Sequence, residues 1–325
     1  VRLARLGLAV VDEQHRFGVR QRAALRRAGS GENGWQMGAR GGMVPHLLVL
    51  SATPIPRSLA LTLYGDLDLA TLDALPPGRK PVVTRLGRGA QERDEAYRAL
   101  GQVVREGGQG FVVCPAIVPG DEPGRTSAVA LARTLRSRLA PARLGVLHGQ
   151  LPPERQQAVA RAFQRGELDV LVATTVIEVG IDVPAARVMV IEDAERFGLA
   201  QLHQLRGRVG RGPGQGECFL LTSSQEPEAL ARLSFLAEVS DGFRIAEEDL
   251  RRRGAGDVYG TRQTGMPELR FGDASVYVAL LESARREALA VLAKDPGLAA
   301  PEHAGLAAAV RERMVEGRPV AEEAG

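Results

Sequence analysis

The chain has 325 residues, 44% of them hydrophobic and 25% charged, with a formal net charge of +3. That length suits about two globular domains, and no apolar run reaches the roughly 18 residues of a membrane-spanning helix. The two cysteines, Cys114 and Cys218, each sit inside an apolar run, with no C-x-x-C and no Cys/His spacing for zinc. Two reduced core thiols in a cytosolic protein are therefore expected. The mild positive charge permits nucleic acid without demanding it. Val1-Arg2-Leu3-Ala4 has neither a signal-peptide layout nor an initiator Met, and is read as the start of a truncated chain.

In chain order, Val/Leu/Ile-rich runs alternate with helical patterns, the mark of α/β architecture with parallel sheets covered by helices. A strand is expected at Leu6–Val11, a polar helix from Gly18 and a strand at Leu47–Leu50; Gly29–Gly42 between them reads as a flexible surface loop. A strand at Val82–Thr84 would finish this first, partial domain, and Leu86–Gln91 would be a linker. The alternation then restarts, with helix 92–105, strand 111–115, helix 126–139, strand 144–147, helix 153–165 and strand 169–173. Strand 187–191, helix 199–206 and strand 217–221 follow, completing a domain of about 130 residues. Pro227–Ser240 and Arg244–Arg253 read as a helical hairpin joined at Asp241-Gly242, followed by a glycine-rich loop at Gly254–Gly265. Val276–Leu292 and the Ala-rich stretch after Pro301 are the remaining helices. The expected domains are thus 1–86, 92–225, 226–270 and 271–325.

Four segments carry the chemistry. Asp12-Glu13-Gln14-His15 closes the first apolar run, at the carboxyl edge where open α/β sheets bind ligands. An Asp there can hold Mg²⁺ against the β- and γ-phosphates of a nucleotide. Glu13 can orient or deprotonate the attacking water, and His15 is near enough to sense the nucleotide. Ser51-Ala52-Thr53-Pro54 ends the next strand; its hydroxyls can bond to that carboxylate or histidine, although taken by itself Thr53 before Pro54 is better read as a plain helix cap.

Thr174-Thr175 opens the third segment, which runs through Glu178, Gly180 and Asp182 to Pro184. Its hydroxyls and backbone amides suit a nucleic-acid phosphate, and Glu178 and Asp182 suit the ribose or nearby arginines. His148-Gly149 ends the preceding strand and offers a further backbone contact. Gln204, Arg208 and Arg211 form Q-x-x-G-R-x-G-R, in which Gly207 and Gly210 are read as allowing tight turns. Such arginines can stabilise charge on a transferring phosphoryl group; a solvated basic turn is the alternative. No G-x-x-x-x-G-K-[ST] phosphate loop is present, and neither lysine, Lys80 or Lys294, follows a glycine.

The order D-E-Q-H, S-A-T-P-I-P-R, F-V-V-C-P, L-H-G, A-T-T-V-I-E-V-G-I-D-V-P, Q-L-H-Q-L-R-G-R-V-G-R-G resembles superfamily-2 helicases. More narrowly it resembles the RecG family, bacterial DNA helicases that remodel stalled forks and branch-migrate junctions. Asp241 to Leu250, Arg253-Gly254 and Gly260-Thr-Arg262-Gln263-Thr-Gly265 are similar to that family's translocation motif. The resemblance covers about residues 6–290. It implies a partial first RecA-like motor domain, a complete second one, and a C-terminal helical hairpin and helices. It also implies ATP and Mg²⁺ as cofactors, and branched double-stranded DNA (forks, Holliday junctions) as partner. A monomer in the bacterial cytoplasm, associated with the nucleoid, is expected. Asp12, Glu13, Arg208 and Arg211 would be catalytic, with Asp12 at the metal. His15, Ser51, Thr53, Glu178, Gly180, Asp182 and Gln204 would bind or sense ATP. His148, Thr174, Thr175, Arg253, Arg262 and Gln263 would track DNA. The family's N-terminal wedge domain and phosphate loop are missing, so this polypeptide alone is expected to be inactive. The rival readings are a transcription-repair coupling translocase, disfavoured by Gln14 and Gly260-Thr-Arg-Gln263, and a non-catalytic DNA-binding adaptor.

Overall fold

A computed structural model describes residues 7–12, 46–50, 70, 72, 80–116, 126–174, 182–258 and 274–315, leaving aside the side chains of 47, 253–258, 274–282 and 313–315. The chain divides into two compact units, Leu72–Asp249 and the remainder, Val1–Thr71 with Leu250–Gly325.

The unit at 72–249 is built on a six-stranded sheet. Its strands are β3 (Val83–Gly87), β4 (Gln109–Val113), β5 (Leu144–Leu147), β6 (Val170–Ala173), β7 (Ala186–Ile191) and β8 (Glu217–Leu221). They lie in the order β3-β8-β7-β4-β6-β5, and every pair is parallel. A parallel sheet needs cover on both faces, which is why its strands read as unbroken apolar runs. The two-residue period sorts them: Phe111, Leu171, Met189, Ile191 and Leu220 enter one core, and Val112, Val170, Val188, Val190 and Phe219 the other.

Helices α1 (Ala90–Arg105) and α2 (Ala128–Arg138) cover the second face, α1 through Ala96, Tyr97, Leu100 and Val103. Their spacing draws one stripe along a 3.6-residue helix. The first face takes Phe163 of α3 (Pro153–Gln164), Leu199, Leu202 and Leu205 of α4 (Leu199–Arg206), Leu233 and Leu236 of α5 (Pro227–Glu238), and Ile245 of α6 (Gly242–Val258). Gln109 ties α3 to the sheet, its buried side-chain amide donating to the carbonyls of Phe163 and Leu168 at 2.7 Å each.

Three expectations are corrected here. The strand near Val82–Thr84 does not finish the first domain. It runs to Gly87 and pairs with β8 from Val83↔Glu217 to Gly87↔Leu221. That backbone pairing holds it, and Arg85 lies on its outer face, bonded to Glu217 at 3.1 Å and over the Phe219 ring at 5.7 Å. Leu86–Gln91 is therefore no linker, since only Arg88 and Gly89 separate β3 from α1. The start of the loop expected from Gly254 is helical instead, because α6 continues to Val258; residues 259–265 lie outside the described residues. The Gly29–Gly42 loop lies outside the described residues.

In the other unit, β1 (Leu8–Asp12) and β2 (His46–Leu50) pair in parallel, with Asp12 opposite Leu50. Helix α7 (Ala274–Lys294) and helix α8 (Ala304–Val315) are joined through Asp295. Its carboxylate accepts from the backbone amides of Ala299 and Ala300 at 2.9 Å each, and lies 2.8 Å from His303 Nδ1. The His303 bond and those two amides hold the Asp295 carboxyl down at about 2. Among the described residues no helix is long and apolar enough to cross a membrane.

Candidate functional site

The arginine motif begins in the last turn of α4 and turns back against the start of β7. Gly210, at φ 69°, donates its amide to Ala186 at 3.1 Å. That backbone region suits glycine, and a Cβ there would stand 3.2 Å from the Gly216 Cα. Gly207, by contrast, ends α4 at φ −67°, ψ −7°, a right-handed conformation open to any residue; the tight turn belongs to Gly210 alone of the two. Arg211 is held from both sides, donating Nε to the Gly207 carbonyl at 2.9 Å and bonding through Nη1 to Asp182 at 2.9 Å. The pair lies open to water, so it contributes little stability. Its effect is to aim the guanidinium, and a phosphate oxygen could replace Asp182 as partner at small cost. Arg208 is half-buried at the end of the same helix, and Gln204 is half-buried on α4.

His148 and Thr174 lie at the other end of the sheet. His148 follows β5 and Thr174 follows β6, adjacent strands whose last residues Leu147 and Ala173 pair. The Thr174 amide donates to Leu147 at 3.2 Å. His148 Nδ1 is buried with no hydrogen-bond partner among the described residues. The sequence segment from Thr174 to Pro184 thus contributes to opposite edges of the sheet: Thr174 at the carboxyl edge, Asp182 beside Arg211 at the start of β7.

Asp12 ends β1, exposed and level with Leu50 at the end of β2. The residues after each strand, Glu13, His15, Ser51 and Thr53, fall outside the described residues, as do Thr175, Glu178, Gly180, Arg262 and Gln263. Arg253 lies on α6, and its side chain is likewise not described. Among the described residues no group of three or more His, Cys, Asp or Glu is arranged to hold a metal.

Two polar clusters were not anticipated. The first is centred on Arg206, inside the arginine motif itself. Its guanidinium is buried and donates to the carbonyls of Leu236 at 2.8 Å, Val239 at 2.9 Å and Ser240 at 3.3 Å, where α5 ends and α6 begins. Nη2 also bonds to His203 Nδ1 at 2.9 Å. Burial holds the Arg206 pKa below its ordinary value, and burial and then Arg206 itself press the His203 imidazole down to about 4. A helix end leaves carbonyls unpaired, and here an arginine from α4 supplies the donors. The visible signal was an extra arginine one residue before Gly207 at the end of an otherwise apolar helix face.

The second cluster surrounds Glu192, just past β7 and nearly sealed from solvent. It accepts from Tyr97 Oη at 2.6 Å and from Arg93 at 2.9 and 3.2 Å. Burial and then the neighbouring carboxylate push the Tyr97 phenol far up, so it stays a donor. Burial likewise raises the Cys114 thiol, and holds Cys218 up at about 12, so both are inert.

Residues 95–213 match the helicase conserved C-terminal domain, and residues 239–316 match the model of ATP-dependent DNA helicase RecG, domain 3, C-terminal. The RecG helicase of Thermotoga maritima is 47% identical over 288 residues, spanning 88% of this chain and 35% of that protein. The chain belongs to the RecG family of ATP-dependent DNA helicases. The Synechocystis RecG helicase is 44% identical over 92% of this chain and 34% of its own length. The solved structure of RecG bound to a three-way DNA junction is similar with a TM-score of 0.63 at 44% identity, over 85% of this chain and 34% of that one. The DUF1998 helicase MrfA bound to DNA and AMPPNP is 16% identical with a TM-score of 0.51, over 86% of this chain and 40% of that one, a likeness of fold alone. The chain spans about a third of the length of these RecG relatives.

Proposed function

We propose that this chain is the part of an ATP-driven double-stranded DNA translocase that couples nucleotide hydrolysis to movement on branched DNA, at stalled forks and Holliday junctions. The observation that carries the reading is the pair of attachments made by one short segment. The arginine motif offers Arg211, aimed by Asp182 and the Gly207 carbonyl. Three residues before it along the motif's end, Arg208 completes the candidate phosphate-facing pair, and Arg206 grips the hairpin of α5 and α6. A change felt by the arginines at a nucleotide phosphate has a stiff path to the hairpin, whose second helix carries Arg253; Arg253, Arg262 and Gln263 would be the DNA-tracking residues.

In this scheme Asp12 would hold Mg²⁺, and the metal would draw charge from the β- and γ-phosphates of ATP. Glu13 would orient water, with His15, Ser51 and Thr53 sensing the outcome. Glu178, Gly180, Asp182 and Gln204 would line the nucleotide, and His148, Thr174 and Thr175 would meet the DNA backbone. A four-carboxylate cage is not needed, because Mg²⁺ in such sites takes one or two carboxylates plus phosphate and water. The similarity to RecG bound to a three-way junction supports branched DNA as the substrate.

The test has two arms. The 325-residue chain alone, which carries no phosphate loop, should hydrolyse ATP no faster than its Glu13→Gln variant; a rate well above that control removes the proposed dependence on the loop. On a polypeptide that supplies the loop, Arg211→Ala should reduce DNA-stimulated hydrolysis by about a thousandfold, and an unchanged rate removes Arg211 from the chemistry.

A further inference from the structure

We infer that His203 is a positioning residue, whose ring Nδ1 sets the guanidinium of Arg206 and so fixes the α5–α6 hairpin to the helix that carries the arginine motif. Its meaning for DNA movement rests on the translocase reading; its geometry does not.

The argument begins with the donors that Arg206 has to place. Both hydrogens of Nη1 have partners, the carbonyls of Leu236 and Val239. Those of Nη2 go to the Ser240 carbonyl, at a long 3.3 Å, and to His203 Nδ1, at 2.9 Å. The three carbonyls all belong to one short stretch of chain, and carbonyl oxygens accept over a broad range of directions. They would follow the guanidinium if the stretch shifted. The fourth acceptor differs, because it sits on α4. His203 and Arg206 are three residues apart on that helix, the spacing at which side chains meet. The ring therefore ties the guanidinium to its own helix and removes the freedom the carbonyls leave.

The chemistry fixes which form of the ring can do this. Arginine only donates, so Nδ1 must be unprotonated and the ring hydrogen must sit on Nε2. A protonated ring would turn the acceptor into a donor and set two cations side by side in a half-buried site. The requirement is for an acceptor at one position, not for apolar bulk.

Three substitutions separate positioning from packing. His203→Asn keeps an oxygen where Nδ1 stood, His203→Gln moves the acceptor outward, and His203→Leu keeps bulk without an acceptor. The readout is amide hydrogen exchange on the 325-residue chain at Val239, Phe243 and Ile245, whose amides are bonded at the hairpin joint, with Val188–Ile191 of β7 as internal control. Loss of one charge-assisted hydrogen bond predicts about tenfold faster exchange at the joint for the Gln and Leu variants. The Asn variant should stay within about twofold of the parent, and β7 should be unchanged in all three. Nitrogen NMR of the ring should find the hydrogen on Nε2. Exchange in the Asn variant as fast as in the Leu variant, or a ring protonated at Nδ1, would overturn the inference. Should the Leu variant not fold, the Asn and Gln pair decides alone. The readout uses neither ATP nor DNA, so its failure is distinct from failure of the translocase reading.

Discussion

Replacing Arg206 by alanine asks how strongly the hairpin is held. The substitution strips donors from three carbonyls at the α5–α6 joint. Each hydrogen bond involving a charged group contributes about 1.5–3 kcal/mol, and the Ser240 bond, at 3.3 Å, belongs at the bottom of that range. Against the sum stands the cost of burying the guanidinium, recorded in its lowered pKa and amounting to several kcal/mol for a buried ion. The net expectation is about 3 kcal/mol of local stability. In amide exchange this is roughly a hundredfold acceleration at Val239 and Ile245. Arg206→Lys should fall between, since an ammonium keeps the charge but cannot present the planar fork. Acceleration below about threefold in the alanine variant, with β7 amides equally unaffected, would refute the view that Arg206 holds the joint.

Three further outcomes follow from the geometry. His203 has a folded pKa of about 4 against an ordinary 6.5, so the unfolded chain binds the proton first; stability is full above pH 6.5, is lost as pH falls towards 4, and is level below. With Arg206 and Asp241 as the charged groups acting on the ring, the loss is at most about 3 kcal/mol; denaturant midpoints of parent and His203→Asn that keep a constant separation from pH 7 to 4 would contradict it. Gly212→Ala drives a Cβ into the Pro184 carbonyl oxygen, which the backbone must relieve at about 1–3 kcal/mol, read as a lowered urea midpoint; an unshifted midpoint would mean that the turn yields freely. Tyr97→Phe leaves the buried Glu192 carboxylate one donor short and should cost about 1–3 kcal/mol, whereas Phe at no cost would make Arg93 sufficient by itself.

The sheet at 72–249 was largely legible because each of its inner strands is an apolar run buried on both faces, as at Phe111–Cys114 and Val170–Ala173. Periodicity also fixed the helices, since Leu199, Leu202 and Leu205 mark a buried stripe. The fate of Val83–Gly87 was not legible: an edge strand with a half-buried Thr and an exposed Arg looks like an extension of what precedes it, and only pairing with β8 assigns it. The contact of Asp182 with Arg211 could be suggested from the motifs, as one of several choices, but the side of the sheet on which it forms could not. Arg206 was hidden by its neighbours, because a motif read for phosphate-facing arginines gives no sign that another arginine points inward to carbonyls thirty residues away along the chain. Such non-local polar contacts leave no period in a sequence.

The seating of β3 beside β8 has a consequence for synthesis. The strand made first in this unit is joined to the strand made last, with Arg85 and its partner Glu217 132 positions apart in the chain. As the chain emerges, β4 to β7 can assemble while β3 waits with its backbone unpaired, and closing so long a loop is slow. Arg85, exposed on that strand, sets a charge against its pairing with another chain while it waits.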